Sequence, residues 1–321
     1  MKILFITLSN LGDVIMTLPC IDILFEEFDS PQIYCICADK VKNFVGSIEG
    51  LYKVISYKKK QTPSQWISFL EKLREEYFDV IIDLKNSLLP LFLKAKKKTP
   101  LFLQIPPNLH SVEKFKLILE KTLKKRLSFS DLKRTFKVDE GRKKELLTIL
   151  NSRNTPSLKR VFLGIGARSH IKRYPASGFS YIIEKLNEEN FIPVVVGDEN
   201  DKEIAFQIKT LTKAHFLDLC GKFSLQEIGA VLKEVCFATI TCDSAFLHLS
   251  SYLNIPTLGI FGPTSPVKYG PWGKYKEVVF KQDLKCRPCQ KSLCKYKWEC
   301  MKTLEPQEVW RKFQCLIGSL N

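Results

Sequence analysis

The chain has 321 residues, 45% hydrophobic and 26% charged, enough to bury the cores of about two domains. These values exclude a disordered chain, a collagen-like fibre and a low-complexity polymer. Fifty Lys and Arg against 34 Asp and Glu give a net charge of +16, which calls for an anionic partner: nucleic acid, an acidic membrane surface or a phosphorylated substrate.

The N-terminal stretch MKILFITLSNLGDVIMTLPC superficially suggests a signal peptide, but Asp13 interrupts the apolar run, and Cys20 lacks the small preceding residues of a lipidation site. No segment reads as a transmembrane span, and the chain reads as cytoplasmic. Short apolar runs then alternate with longer amphipathic ones, the pattern of βα units on a parallel sheet. Lys2–Leu8, Gln32–Cys37 and Asp79–Leu84 read as buried strands. Residues 64–77 read as a helix, with Trp66, Ile67, Leu70 and Leu73 at helical spacing.

Residues 94–144 hold 16 basic and 5 acidic side chains, either a solvated face or a functional surface. Prolines at 100, 106 and 107 make its first part hard to assign. Residues 140–150 read as a helix and 151–159 as a linker. In the second half, strands at 160–165, 192–196, 215–219, 237–241 and 257–261 alternate with helices near 176–190, 201–211, 224–234 and 244–253, a doubly wound domain that binds ligands at its strands' carboxyl ends. A last helix spans 306–320. The expected domains are 1–155, 156–305 and a terminal helix at 306–321.

Four motifs fall at strand ends. Ser9-Asn-Leu-Gly-Asp13 follows the first strand; Gly12 permits a tight turn that leaves Asp13 at the mouth of the domain, as a general base or as a helix cap. Gly164-Ile-Gly-Ala-Arg-Ser-His170-Ile-Lys172-Arg173-Tyr-Pro175 is not a dinucleotide fingerprint, but it brings Lys172 and Arg173 to the sheet's ligand end; His170 reads as a surface residue. Asp243-Ser244-Ala245-Phe-Leu-His248 opens a helix whose free N–H groups suit a diphosphate, with His248 one turn on. Phe261-Gly262-Pro-Thr264 forms a rigid loop, lining a pocket or merely turning the chain.

In this order the motifs resemble those of the ADP-heptose:lipopolysaccharide heptosyltransferases, glycosyltransferase family 9. The resemblance covers most of the chain, strongest in 1–28 and 160–273. It implies an α/β fold of GT-B type, with two Rossmann-like domains facing a cleft, and an inverting transfer without a catalytic cofactor. The donor would be an ADP-sugar held by Lys172, Asp201, Asp243, Ser244, Ala245, His248, Gly262 and Thr264; Asp13 would be the base. Ala245 stands where the family has Gly, and Asp201 where it has a ribose-binding Glu, with Glu199 and Glu203 as alternatives. The implied acceptor is an anionic glycolipid, met by a chain peripheral to the inner membrane surface; no specific nucleic acid is expected.

Eleven cysteines remain to be placed. Seven lie in apolar, core-like segments. Cys286, Cys289, Cys294 and Cys300 cluster within fifteen residues, spaced for a structural Zn or Fe site, for two disulfides or for free thiols. The similar autotransporter heptosyltransferases carry a cysteine-bound iron finger, so the resemblance keeps metal among the alternatives, although gaps of four and five residues are short for a zinc ribbon.

Overall fold

The protein is described by a computed structural model covering residues 1–58, 60–131, 133–152, 158–291 and 293–320. It divides into two compact units, Met1–Lys137 and Val138–Asn321.

The first unit is built on five parallel strands: β1 (Lys2–Ile6), β2 (Gln32–Ala38), β3 (Lys53–Tyr57), β4 (Phe78–Asp83) and β5 (Ala95–Lys98), in the order β3-β2-β1-β4-β5. The central strand buries Ile3, Leu4, Phe5 and Ile6 together, a continuous apolar run suited to a strand covered on both faces. The helices are α1 (Leu11–Ile15), α2 (Leu18–Glu27), α3 (Lys42–Ser47), α4 (Pro63–Arg74) and α5 (Ser111–Leu123). Thr62 and Gln65 close a capping box on α4, whose Trp66 and Ile67 are exposed while Leu73 is buried. Helical spacing therefore located α4 but overstated the width of its core face. The basic stretch contributes β5, a lysine-rich edge strand, and α5, which the prolines and charge had obscured.

The second unit has six parallel strands: β6 (Arg160–Gly164), β7 (Ile192–Val196), β8 (Leu217–Asp218), β9 (Cys236–Cys242), β10 (Thr257–Ile260) and β11 (Lys276–Val279). Their order is β11-β10-β9-β6-β7-β8. The helices are α6 (Glu140–Asn151), α7 (Ala176–Glu188), α8 (Lys202–Leu211), α9 (Leu225–Val235), α10 (Ala245–Tyr252), α11 (Pro266–Tyr269), α12 (Glu299–Lys302) and α13 (Pro306–Gly318). Strand order reverses at β6, which pairs with β7 on one side and β9 on the other, so the loops after β6 and β9 leave the sheet side by side.

Two boundaries differ from expectation. The division falls after Lys137, not after residue 155, because α6 belongs to the second unit: Leu146 and Leu150 are buried, and Arg142 Nε donates to Glu227 Oε1 of α9 at 3.0 Å. The expected linker 151–159 lies largely outside the described residues. The terminal helix is not separate either: Val309, Trp310, Phe313 and Leu316 of α13 complete the second unit's core. Of the seven cysteines read as core, five are buried, Cys236 is half-buried and Cys315 is exposed on α13.

The packing of α6 is testable. Leu146→Ala should destabilise the second unit by about 2–5 kcal/mol through lost burial and a residual cavity. Hydrogen exchange would show lost protection in β6–β9 and unchanged protection in β1–β4; the opposite pattern would assign α6 to the first unit.

Candidate functional site

At the ligand end of the first sheet, the chain leaves β1 through Ser9 and Asn10 into α1. Gly12 sits inside that helix rather than at a tight turn, and Asn10, not Asp13, is the N-cap residue. Asp13 is half-buried and accepts a hydrogen bond from Asn10 Nδ2 at 3.0 Å. Lys40, just beyond β2, donates to Asn10 Oδ1 at 2.7 Å. Asn10 thus holds the carboxylate by one end of its amide and a lysine by the other. On the opposite flank, Asp83 at the end of β4 is buried and accepts from the backbone of Lys85 and from the backbone and hydroxyl of Ser87. Burial pushes its carboxyl above the ordinary range, against those hydrogen bonds. The anchored loop puts Lys85 Nζ on Tyr57 Oη at 2.5 Å, and Tyr57 Oη stands 3.2 Å from Ser9 Oγ.

In the second unit, pairing of β6 with β9 brings two distant motifs into contact. Lys172 Nζ donates to Asp243 Oδ2 at 2.7 Å, and the same carboxylate stands 3.8 Å from His248 Nε2. Asp243 and His248 are each about 5% exposed in the side chain, whereas Lys172 is 29% exposed, so the cation faces outward over a buried anion. Ser244 is the N-cap residue of α10, but its hydroxyl lies 3.3 Å from Thr241 Oγ1 and does not cap the helix. The first-turn N–H groups, including that of Ala245, therefore lack an intrahelical or N-cap side-chain acceptor. Thr264 Oγ1 is buried without a hydrogen bond among the described residues, which leaves it open to a ligand.

Asp201 stands apart from the ribose-binding role that the resemblance implied. It is 4% exposed and lies against Gly166, where an added Cβ would come within 1.9 Å of Oδ2. Asp198 N–H donates to Oδ2 at 2.9 Å, and Arg173 Nη2 stands 3.1 Å from Oδ1. Its carboxylate ties the loop after β6 to the loop after β7. Glu199, paired with Lys202 at 2.8 Å, is the exposed acid beside it. Gly262 also has a packing reason: a Cβ there would meet Met301 Sδ at 2.6 Å and Cys300 Sγ at 3.2 Å.

The cysteine-rich loop folds beside this end of the sheet. Cys286, Cys289, Cys294 and Cys300 are free thiols lining a cavity of about 770 Å³ with Arg287 and Trp298, and His170 meets the Trp298 ring edge-on at 4.7 Å. Arg287 is held by the carbonyls of Gly262 and Lys281. Burial raises the Cys300 thiol to about 11. Cys294 Sγ accepts two backbone N–H groups, from Tyr296 and Trp298, both at 3.4 Å. Among the described residues, no three His, Cys, Asp or Glu side chains are gathered into a metal-holding group.

The sequence profile of Glycosyltransferase family 9 (heptosyltransferase) matches residues 66–299, most of the chain. The chain belongs to glycosyltransferase family 9. This family 9 enzyme is 26% identical over 326 residues to lipooligosaccharide heptosyltransferase 2 of Campylobacter jejuni serotype O:6, covering 96% of this chain and 97% of that protein. It is 25% identical over 363 residues to lipopolysaccharide heptosyltransferase 1 of Pseudomonas aeruginosa, covering 99% and 98%. Its fold matches the structure of Escherichia coli ADP-heptose lps heptosyltransferase II with a TM-score of 0.75 at 20% identity, covering 100% of this chain and 99% of that one. It matches a family 9 glycosyl transferase from Veillonella parvula with a TM-score of 0.79 at 19% identity, covering 99% and 97%. An iron-containing dodecameric glycosyltransferase from enterotoxigenic E. coli shares the fold at a TM-score of 0.58 and 13% identity, this chain covering 77% of it.

Three site features of this glycosyltransferase escaped the sequence reading. Trp272 stacks on His248, with ring centroids 5.7 Å apart and planes at 26°. Asn10 and Lys40 buttress Asp13, and Arg173 clamps Asp201. Asn10 lay within the quoted motif, but nothing in the spacing of Lys40 or Trp272 announces a neighbour 30 or 24 residues away.

Asp201 yields a pH prediction. Burial raises its folded-state carboxyl above the unfolded value of about 3.9, so folding favours the protonated form. Its contribution to stability is greatest at low pH and declines as pH rises from about 4 through the raised folded value. In urea unfolding, Asp201→Asn should gain on the wild type from pH 4 to pH 7; a gap independent of pH would show that the carboxyl titrates normally.

Proposed function

We propose that this family 9 glycosyltransferase transfers heptose from ADP-heptose to a hydroxyl of an anionic, lipopolysaccharide-core-type glycolipid, with inversion and without a catalytic metal ion. The observation that carries this reading is the Lys172–Asp243 pair beside the uncapped start of α10, a cation and free N–H donors at a topological switch point. These groups suit a nucleoside diphosphate that gains negative charge as the glycosidic bond breaks. Thr264 offers a further hydroxyl, and His248, steadied by Trp272 and Asp243, orients the phosphates. With Asp201 buried, contact with the ribose passes to Glu199.

In the acceptor half of the reaction, Asp13 takes the proton from the attacking hydroxyl. Asn10 points the carboxylate and Lys40 limits the rotation of Asn10. The donor and acceptor classes draw support from the relatives, whose names specify heptosyl transfer in lipooligosaccharide and lipopolysaccharide synthesis, and from the E. coli neighbour named for ADP-heptose. Such an acceptor places the enzyme at the cytoplasmic face of the inner membrane. Among the described residues, no helix is long and apolar enough to cross a membrane.

Asp13→Asn tests the base. It keeps the carbonyl that accepts from Asn10 but cannot take a proton, so kcat should fall about 10²–10⁴-fold with ADP affinity unchanged. Normal turnover would reduce Asp13 to a helix-terminal carboxylate. Lys172→Ala should weaken ADP-heptose binding and slow transfer, while EDTA should leave the initial rate unchanged; a strict Mg²⁺ requirement would contradict the mechanism.

The cysteine cavity belongs to the same reading as a structural Zn or Fe site. The four thiols line one cavity, but among the described residues no three of them are gathered around one point, so binding metal would require the loop to draw them together. Bound metal would pin the loop between Gly262 and α13, not take part in transfer. Elemental analysis of aerobic and anaerobic preparations should find near-stoichiometric metal that is lost in Cys289→Ser with a lowered Tm. Metal-free protein in both preparations would leave the four cysteines as thiols.

A further inference from the structure

Between Asp83 and Glu113 there is no acidic residue, while lysines stand at 85, 94, 96, 97 and 98. The same stretch holds four exposed large apolar side chains: Leu88 at 62%, Leu91 at 56%, Phe92 at 48% and Phe102 at 87%. Their exposure is directed. In the 3₁₀ turn Leu89–Phe92, Leu89 and Pro90 are buried, as is Leu93 just beyond, which anchors the turn while Leu91 and Phe92 face solvent. Phe102 carries the largest exposed ring on a backbone with φ of 55°, in the left-handed region that bulky residues avoid. Neither packing nor backbone preference within the folded unit accounts for phenylalanine there.

These residues follow the β5 edge of the first unit, with Leu91 and Phe92 toward the end where β5 begins and Leu88 and Phe102 toward the other. β5 is the edge strand, and β4 and β5 run parallel, so Leu88, five residues past Asp83, and Phe102, four past Lys98, leave the sheet at the end where Ser9–Asp13 leaves it. Lys85, Lys94, Lys96 and Lys97 are exposed along the same segment, Lys96 sharing its charge with Asp79 at 2.8 Å. Elsewhere in the basic stretch, Lys125 is spent on Glu27, so charge alone does not single out this edge. The combination does: apolar side chains in solvent with lysines, in a segment whose own sequence carries no acid and whose one lysine paired with a carboxylate, among the described residues, is Lys96.

We propose that this edge docks on an anionic lipid bilayer, with Leu88, Leu91, Phe92 and Phe102 entering the interfacial region while the lysines engage phosphate headgroups. Exposed apolar anchors combined with basic residues are the two signals that reversible interfacial binding requires. The proposal rests on the reading that the acceptor is a glycolipid, since docking here sets the acceptor-side loops of the first sheet at the surface from which such a headgroup projects. It assigns membrane contact to the segment 85–102, rather than to the basic residues of the whole stretch.

Vesicle flotation tests it without any substrate. The full-length protein should float with vesicles of equal phosphatidylcholine and phosphatidylglycerol, and much less with phosphatidylcholine alone. Leu88→Ser/Phe102→Ser should weaken partitioning at least tenfold with Tm and ADP affinity unchanged. Leu293→Ser, which removes an 82%-exposed leucine of the second unit, should not affect it. As a folded reporter, Phe102→Trp should show a blue-shifted emission on vesicle addition. Transfer to a delipidated, soluble acceptor should be the same in the double variant as in the wild type, so failure of docking and failure of the transfer reading are separable. Absence of vesicle binding, equal binding by the double variant, or an unshifted emission from the Phe102→Trp reporter would overturn the proposal. So would concentration-dependent self-association abolished by the double variant, which would assign the edge to a second copy of the chain.

Discussion

An ionised carboxylate as deep as that of Asp243 persists only if it is paired, and the pairing of Asp243 with Lys172 organises the second unit's ligand end. The two residues are 71 positions apart and meet because β6 and β9 are neighbours at the reversal of strand order. The buried anion fixes a cation that is itself partly exposed, so positive charge is held at the mouth of the sheet before any ligand arrives. Preorganisation of this kind spares the site the reorganisation that a flexible surface lysine would need. His248 closes the arrangement from the far side, kept in place by Asp243 and Trp272.

The loops around this pair are tied to one another by close approach. Gly166 has no Cβ because the Asp201 carboxylate occupies that space, and Asp201 in turn takes the Asp198 N–H and the Arg173 guanidinium. Gly262 plays the corresponding part on the other flank, where Cys300 and Met301 fill the volume a side chain would need. Arg287 adds a second tie, donating to the Gly262 carbonyl. The cysteine loop is therefore continuous in packing with the loop that carries Thr264, and its conformation bears directly on the ligand end of the sheet.

The first unit solves a related problem with less burial. Its carboxylate is half-exposed Asp13, steered by the Asn10 amide, and its cations, Lys40 and Lys85, follow the strands on either side of β1. Asn10 holds the Asp13 carboxylate by a neutral amide, whereas Asp243 is bonded directly to the Lys172 ammonium. The proposed division of labour, with one unit holding a charged leaving group and the other handling a proton, draws on this difference.

The amino-acid sequence by itself determined the alternation of strands and helices, the strand ends at which the four motifs fall, and the family, because apolar periodicity and short motifs are local properties. It put Asp13, Lys172, Asp243, Ser244 and His248 beyond the carboxyl ends of their strands, where the structure has them. It misread what depends on contacts distant in the chain: α6 joins the second unit through Leu146 and Arg142, α13 completes a core, and Asp201 is buried under Gly166 rather than offered to a ribose. It also missed β3, β5 and β11, strands too short or too polar to be distinguished without the neighbour that pairs with them. Only the tertiary structure decided that Gly166 and Gly262 make room for side chains of the protein itself, and which basic residues are already committed to a carboxylate. The physical reason is that burial and charge pairing belong to the folded surface, where residues 30, 70 or 100 positions apart become neighbours, and no local pattern encodes which of them will meet.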